Sequence, residues 1–203
     1  NHSLRAELTA EGRSYVQFGE LLLPGELTLT TGESYQSPSL YLSYAAAGFS
    51  QLSQQFHQFV RSRLLSKAQQ QKARPVHYNT WEGIYFKHDT DTLMQLASKV
   101  APLGVERFVL DDGWFMGRRG DFAGLGDWQV DPAVYPQGLG PLIAHVNALG
   151  MEFGLWFEPE MVNPDSALFR DHPDWVLGIA NNPQMRFRNQ LVLDVSRPEV
   201  SAY

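Results

Sequence analysis

Cysteine is absent from the 203 residues of this chain. The absence excludes disulfide bonds and thiolate metal sites, and it is typical of a reducing compartment, so we expect a cytoplasmic protein. No apolar run approaches the roughly 20 residues of a membrane-spanning helix, and the N-terminus lacks the apolar segment of a signal peptide. Clusters of basic residues are missing too: the 16 lysines and arginines are scattered, and together with the formal net charge of -6 this disfavours nucleic acid or an anionic membrane as a partner.

A methionine is also missing at the start, where the chain begins with Asn1, and the sequence stops at Tyr203 just inside a predicted helix. We therefore expect a piece of a longer protein. Hydrophobic residues make up 43% of the chain and aromatic residues 12%, which is enough to bury a substantial core. These numbers predict a globular protein with one domain or two partial ones.

The N-terminal part of the sequence predicts antiparallel strands. Residues 14–18, 26–30 and 39–44 alternate apolar and polar side chains, and Pro-Gly and Thr-Gly pairs separate them as turns. Apolar residues then recur at spacings of three and four over residues 49–64, which predicts an amphipathic helix. The polar run 66–74 predicts a linker.

From Pro75 onward, strand-like runs alternate with helical ones. Strands are predicted at residues 76–81, 105–110 and 151–157, with helices near residues 91–101 and 141–149 between them. This alternation is the signature of an α/β fold with a parallel sheet, in which all strands end at the same edge.

Indole rings and carboxylates collect at the predicted strand ends. They comprise Asn79, Thr80, Trp81 and Glu82 after the first strand, Asp111, Asp112 and Trp114 after the second, and Trp156, Glu158 and Glu160 after the third. An indole covers the C–H face of a sugar while carboxylates accept hydrogen bonds from its hydroxyls, so the set predicts a sugar-binding rim. Taken singly, each residue has a structural alternative: a tryptophan often belongs to the core, and an aspartate at a strand end often caps a turn.

The segment after the third strand predicts a short helix and then a hairpin. An extended run at 175–179 leads through a turn at 181–183 to a returning strand at 186–194. Arg186 and Arg188 are expected on one face of that returning strand. Arginines in such a position are usually solvated, so the pattern alone favours no binding role for them.

Several of these strings resemble the bacterial α-galactosidases of glycoside hydrolase family 36, namely VHYNTWEGIYF, RFVLDDGWF, GLWFEPEMVNPDS, HPDWVL and RNQLVLDVSRPEV. The resemblance is strong over residues 75–203 and holds in outline before them. Such proteins combine an N-terminal β-supersandwich, a (β/α)8 TIM barrel and a C-terminal β-domain, often as tetramers. The resemblance implies that residues 1–72 are the C-terminal part of the β-supersandwich with a linking helix. Residues 73–203 would then be the N-terminal part of the catalytic barrel.

The same resemblance implies a galactose subsite lined by Trp81, Asp111, Asp112, Trp156 and Arg188. It also implies a retaining mechanism, in which a nucleophilic carboxylate and an acid/base carboxyl group stand about 5 to 5.5 Å apart. In this family the nucleophile lies in a Lys-Trp-Asp type of motif on the next barrel strand, and the acid/base follows later.

No such motif occurs in this sequence, because Asp194 precedes a predicted helix and lacks the neighbouring lysine. We therefore expect both catalytic carboxylates beyond Tyr203 and no catalytic residue within the chain.

The function expected from the resemblance is a retaining α-galactosidase that removes terminal α-linked galactose from oligosaccharides such as melibiose and raffinose, without a metal or organic cofactor. Three alternatives stay open. The first is a related α-N-acetylgalactosaminidase or galactosyltransferase, and the second is a non-catalytic galactose-binding module. The third, a metal site at Asp111 and Asp112, is disfavoured because no histidine or second acidic cluster has suitable spacing.

Overall fold

The computed structural model describes residues 2–178, 184 and 186–203. The chain divides into two compact units, Asn1–Lys72 and Ala73–Tyr203. Among the residues that the structure describes, no helix has the length and apolar character needed to span a bilayer.

Residues 2–72, the described part of the first unit, contain one antiparallel strand pair and two α-helices. Strand β1 (His2–Leu8) pairs along its whole length with β2 (Ser14–Glu20), and the connecting turn is closed by the Gly12 N–H, which donates to the Thr9 carbonyl at 2.9 Å. Helix α1 (Phe49–Phe59) continues into a π-helical turn, and α2 (Lys67–Gln71) follows. The predicted amphipathic helix is confirmed, whereas the predicted linker is partly helical.

Two strands predicted for this unit are wrong. Residues 26–30 and 39–44 have no strand structure, because alternation only favours an extended chain and a strand also needs a neighbouring backbone for its hydrogen bonds. Within residues 2–72, the one strand ladder is that between β1 and β2. The antiparallel strands that we predicted are therefore present only as this pair, with no sandwich within these residues.

The second unit is built on a three-stranded parallel sheet in the order β3 (His77–Asn79), β4 (Arg107–Leu110) and β5 (Glu152–Leu155). Tyr78, Phe108 and Phe153 stand in one row across the sheet. The predicted parallel sheet is confirmed, and the carboxyl ends of all three strands lie at one edge.

Three helices follow the strands, namely α3 (Trp81–Ile84), α4 (Thr90–Val100) and α5 (Gly140–Ala148). The Asp89 carboxylate caps α4 by accepting a hydrogen bond from the Thr92 N–H at 2.8 Å. The buried core that joins α4, β4 and α5 contains Leu93, Ala97, Val100, Phe108, Leu110, Leu142 and Val146. This core fixes the position of β4 and therefore the position of Asp111 and Asp112, which directly follow it.

A smaller subregion completes the second unit. Strand β6 (Met161–Val162) pairs antiparallel with β7 (Leu191–Val192), and the helices α6 (Ala167–Asp171) and α7 (Pro198–Ala202) pack nearby. Its core contains Val162, Leu168, Trp175, Leu191, Leu193 and Val200. The turn predicted at residues 181–183 lies outside the described residues.

Candidate sugar-binding site

A cavity of about 410 Å³ lies at the carboxyl edge of the parallel sheet. This volume falls within the range of small-molecule sites. The five residues predicted from the sequence all line it: Trp81, Asp111, Asp112, Trp156 and Arg188. Asn79 and Glu82 complete the described lining. The structure therefore brings the predicted residues together, whereas their role in binding sugar stays a prediction.

Asp111 is held in place from three sides. Its backbone N–H donates to Thr80 Oγ1 at 3.0 Å, and one of its carboxylate oxygens accepts from the Asn79 side-chain amide. The other oxygen accepts from the Asp112 N–H at 2.7 Å. Because Asn79 Oδ1 in turn accepts from the Trp81 N–H at 2.8 Å, the ends of β3 and β4 are joined by a continuous polar network.

Asp112 forms a bidentate ion pair with Arg118. Arg118 Nε donates to Oδ1 at 2.8 Å and Nη2 donates to Oδ2 at 2.7 Å. The guanidinium also lies 5.5 Å from the ring of Phe86 and 5.8 Å from that of Phe115, where cation–π attraction adds to its stability. Both charged side chains are buried, and each satisfies the other.

This ion pair argues against the metal alternative at Asp111 and Asp112. A cation placed on the Asp112 carboxylate would be repelled by the Arg118 guanidinium that already holds both oxygens. Within the described ranges, no cluster of three or more histidine, aspartate or glutamate side chains has a metal-binding arrangement.

The two tryptophans that line the cavity are fixed by aromatic packing. Trp81 contacts Tyr85 and Phe86 edge to face, each with ring centroids 5.0 Å apart. Trp156 stacks on Phe115 with centroids 6.5 Å apart and an interplanar angle of 10°. Both indoles are half-buried, so each presents part of its surface to the cavity while the rest is held by the protein.

Four residues that we assigned to the rim take other positions. Thr80 is completely buried and outside the cavity lining, where its hydroxyl accepts from the Asp111 N–H. Trp114 is only 2% exposed and belongs to the core, where its indole N–H donates to the Trp156 carbonyl at 3.0 Å. Neither Glu158 nor Glu160 is part of the cavity lining. Burial raises the pKa of the Glu158 carboxyl, and the charge of Glu160 raises it further.

Arg188 reaches the cavity from a turn and not, as predicted, from the face of a strand that it shares with Arg186. Phe187 and Gln190 bond to each other through both backbone groups, at 3.3 and 3.0 Å, which encloses Arg188 and Asn189 in a tight two-residue turn. Their φ angles are 51° and 61°, as in a type I′ turn. The left-handed backbone conformation costs a residue with a Cβ atom about 1–2 kcal/mol, so arginine is less favourable than glycine at this position.

His88 packs against Gly113, which follows the two aspartates, and the sequence did not predict its place near the cavity. Its Nδ1 is 2.7 Å from the hydroxyl of Tyr135. A Cβ atom at Gly113 would stand 3.0 Å from its Nε2, and the φ of +118° there also favours glycine. Burial lowers the pKa of His88 to about 4, and the positive charge of Arg119 contributes to the shift. The imidazole is therefore neutral at neutral pH.

Comparison with known protein families identifies the family of the chain. A family model described as Melibiase matches residues 34–203. The chain belongs to the melibiase family. The α-galactosidase of Escherichia coli is 52% identical over 203 residues, a match that covers 100% of this chain and 28% of the relative. The predicted resemblance to α-galactosidases of family 36 is thereby confirmed, and the chain spans about 28% of the length of that relative.

Solved structures of melibiase relatives have the same fold as this chain. A variant of the family 36 α-galactosidase AgaA from Geobacillus stearothermophilus, in complex with 1-deoxygalactonojirimycin, superposes with a TM-score of 0.87 at 42% identity. Another variant of that enzyme, in complex with raffinose, gives a TM-score of 0.86 at 42% identity. Each alignment covers 100% of this chain and 28% of the solved chain. An α/β fold with antiparallel strands is thus common to this chain and the corresponding part of the family 36 enzymes.

Proposed function

We propose that this chain is part of a retaining α-galactosidase that removes terminal α-linked galactose from oligosaccharides such as melibiose and raffinose. The observation that carries the proposal is the convergence of Trp81, Asp111, Asp112, Trp156 and Arg188 on one cavity. Membership of the melibiase family supports the reaction type, and the raffinose bound by a relative supports the substrate class.

Five of the residues that line the cavity have roles that suit galactose. The carboxylates of Asp111 and Asp112 accept hydrogen bonds from sugar hydroxyls, and Arg188 donates to them. The indoles of Trp81 and Trp156 cover the apolar C–H faces of the ring. Together these groups would orient the sugar with its anomeric carbon toward the catalytic carboxylates.

The contacts of the two aspartates favour binding over nucleophilic attack. Both oxygens of Asp112 accept charged hydrogen bonds from Arg118, which lowers the reactivity of the carboxylate. Both oxygens of Asp111 also accept hydrogen bonds, from Asn79 and from the Asp112 backbone. In this proposal the nucleophile and the acid/base belong to a part of the protein beyond Tyr203.

The architecture of the whole protein follows from the same proposal. Residues 73–203 would form the opening strands and helices of a (β/α)8 barrel, which is a fold whose sites lie at the carboxyl ends of its strands. Residues 1–72 would form the end of a β-supersandwich and its linking helix. We further propose a cytoplasmic homotetramer, supported by the absence of cysteine and by the family resemblance. Light scattering on the full-length protein tests the tetramer.

Hydrolysis assays on the full-length protein test the activity. We expect turnover of p-nitrophenyl α-galactoside with retention at the anomeric carbon, and far less turnover of the corresponding α-N-acetylgalactosaminide. The isolated 203-residue chain should give no turnover above a blank. Hydrolysis by the isolated chain that disappears on mutation of one of its residues would contradict the placement of the catalytic carboxylates. A full-length protein that binds galactose without hydrolysing any galactoside would favour the binding module.

A further inference from the structure

We propose that Arg118 and Asn163 are positioning residues that hold Asp112 and the Arg188 turn in a fixed arrangement across the cavity. The proposal rests on the proposed function, because it gives the two groups a common ligand. Neither positioning residue lines the cavity, and the side chains of both are completely buried.

The first part of this connection is the Arg118 guanidinium. Besides its two bonds to Asp112, its Nη1 donates to Asn163 Oδ1 at 2.8 Å and to the Ala123 carbonyl at 3.1 Å. A planar guanidinium makes these contacts in directions that its geometry fixes. The orientation of the Asp112 carboxylate is therefore tied to the position of the Asn163 side chain.

The second part is the Asn163 carboxamide, which uses every hydrogen bond available to it. Its Oδ1 accepts from Arg118 and, at 3.0 Å, from the Leu125 N–H. Its Nδ2 donates to the Asp121 carbonyl at 3.2 Å and to the Asn189 carbonyl at 3.0 Å. Two accepted and two donated bonds saturate a carboxamide, so the group has one orientation here.

The bond to Asn189 brings the connection to the turn that carries Arg188. Asn189 directly follows Arg188, and both residues have left-handed backbone conformations. Such strain persists only where the surrounding contacts impose it, and the Asn163 side chain supplies one of these contacts. A chain of hydrogen bonds therefore connects the Asp112 carboxylate, through Arg118 and Asn163, to the backbone of the residue next to Arg188. Because polar groups in a buried network restrain one another, loss of the last bond should release the turn.

Asn163→Asp is the sharpest substitution, because the carboxylate keeps both acceptor contacts of Oδ1 and loses both donations of Nδ2, to the Asp121 and Asn189 carbonyls. The full-length protein is the material, and the readout is the dissociation constant of galactose by calorimetry. Arg188→Ala should raise this constant about ten- to hundredfold, as expected for a charged hydrogen bond. Asn163→Asp should raise it about tenfold. When Arg188 is already alanine, Asn163→Asp should add less than about a twofold change, because no guanidinium is left to misplace.

Two further variants separate positioning from general stability. Ser166→Ala removes a buried hydroxyl that donates to the Asn163 backbone carbonyl at 2.8 Å, so it should lower the melting temperature without raising the galactose constant more than about twofold. Asn163→Ser replaces the aspartate variant in the cycle if that variant fails to fold; because serine lacks Oδ1 as well as Nδ2, it also loses the contact with Arg118, so its effect should shrink but not vanish when Arg188 is alanine.

An Asn163 effect of unchanged size in the Arg188→Ala background would overturn the proposal, and so would an unchanged constant in both Asn163 variants. Failure of the wild-type protein to bind galactose would overturn the proposed function, and with it the inference that rests on it. Normal binding by the wild type together with additive effects would overturn the positioning role alone.

Discussion

Arg118 and Asp112 form an ion pair whose side chains are 0% and 4% exposed to solvent. Such a pair adds little to the stability of the fold compared with apolar residues of the same shape, because both charges lose their hydration on burial. Removal of only one partner is different, since the other charge stays buried without compensation. The pair therefore makes Asp112 important for stability as well as for the cavity, whereas Asp111 bonds to uncharged groups.

We expect Asp112→Ala to lower the free energy of unfolding by about 3 to 5 kcal/mol, and Asp111→Ala by about 1 to 3 kcal/mol. Urea unfolding of the full-length variants measures both. The control is Asp112→Ala combined with Arg118→Met, which removes the orphaned charge and should recover part of the loss. A double variant less stable than Asp112→Ala would contradict this account of the pair.

The left-handed backbone at Arg188 gives a second prediction. Arg188→Gly should leave the free energy of unfolding unchanged or raise it by up to about 1 kcal/mol, because glycine adopts this conformation without strain. The same substitution should lower kcat/KM for an α-galactoside roughly ten- to two-hundredfold, since a charged donor is lost. Arg186→Ala is the matched control and should change kcat/KM less than about twofold. Equal losses at the two positions would mean that the fold of the segment, and not a contact of Arg188, is being measured.

The pKa of His88 predicts a dependence of stability on pH. The folded-state pKa is about 4, below the ordinary value of 6.5, so the folded protein disfavours the charged imidazole. The stability from neutral His88 is complete above about pH 6.5 and declines as the pH falls toward 4, by at most about 1.4 kcal/mol per pH unit. His88→Gln should remove this component. The difference in melting temperature between wild type and variant should therefore shrink on acidification, and a constant difference would contradict the assignment.

The sheet and most of the cavity lining were predictable from local patterns in the sequence, whereas Arg188 was predicted only from the family resemblance. Apolar runs ending in Trp81, Asp111 and Trp156 indicate strands whose carboxyl ends meet, and the parallel order of the sheet then brings these residues together. Residues 26–30 show the limit of such reasoning. Their alternation is as regular as that of β1, but a strand also depends on a partner, which a local pattern does not specify.

The partners of the two aspartates were not predictable in the same way. Two adjacent carboxylates at the end of a buried strand require donors, and the sequence alone predicts this requirement without identifying the donors. Arg118 stands in the polar run Gly-Arg-Arg-Gly-Asp, which is typical of an exposed loop, and Asn163 lies 45 residues further along the chain. Only the folded chain shows that the loop turns this arginine inward, and that the neighbouring Arg119 pairs with Asp131 instead.

Azide rescue distinguishes binding carboxylates from catalytic ones at Asp111 and Asp112. Alanine at either position should lower kcat/KM of the full-length enzyme roughly ten- to two-hundredfold, which is the effect of one hydrogen bond to a charged acceptor. Loss of a nucleophile should cost far more, and external azide can then replace the missing carboxylate and form a galactosyl azide. Because Arg118 and Asn79 already occupy these two carboxylates, we expect azide to rescue neither variant and the products to keep the retained configuration. Proton NMR of the reaction mixtures measures both outcomes, and a galactosyl azide formed by either variant would show that its aspartate is catalytic.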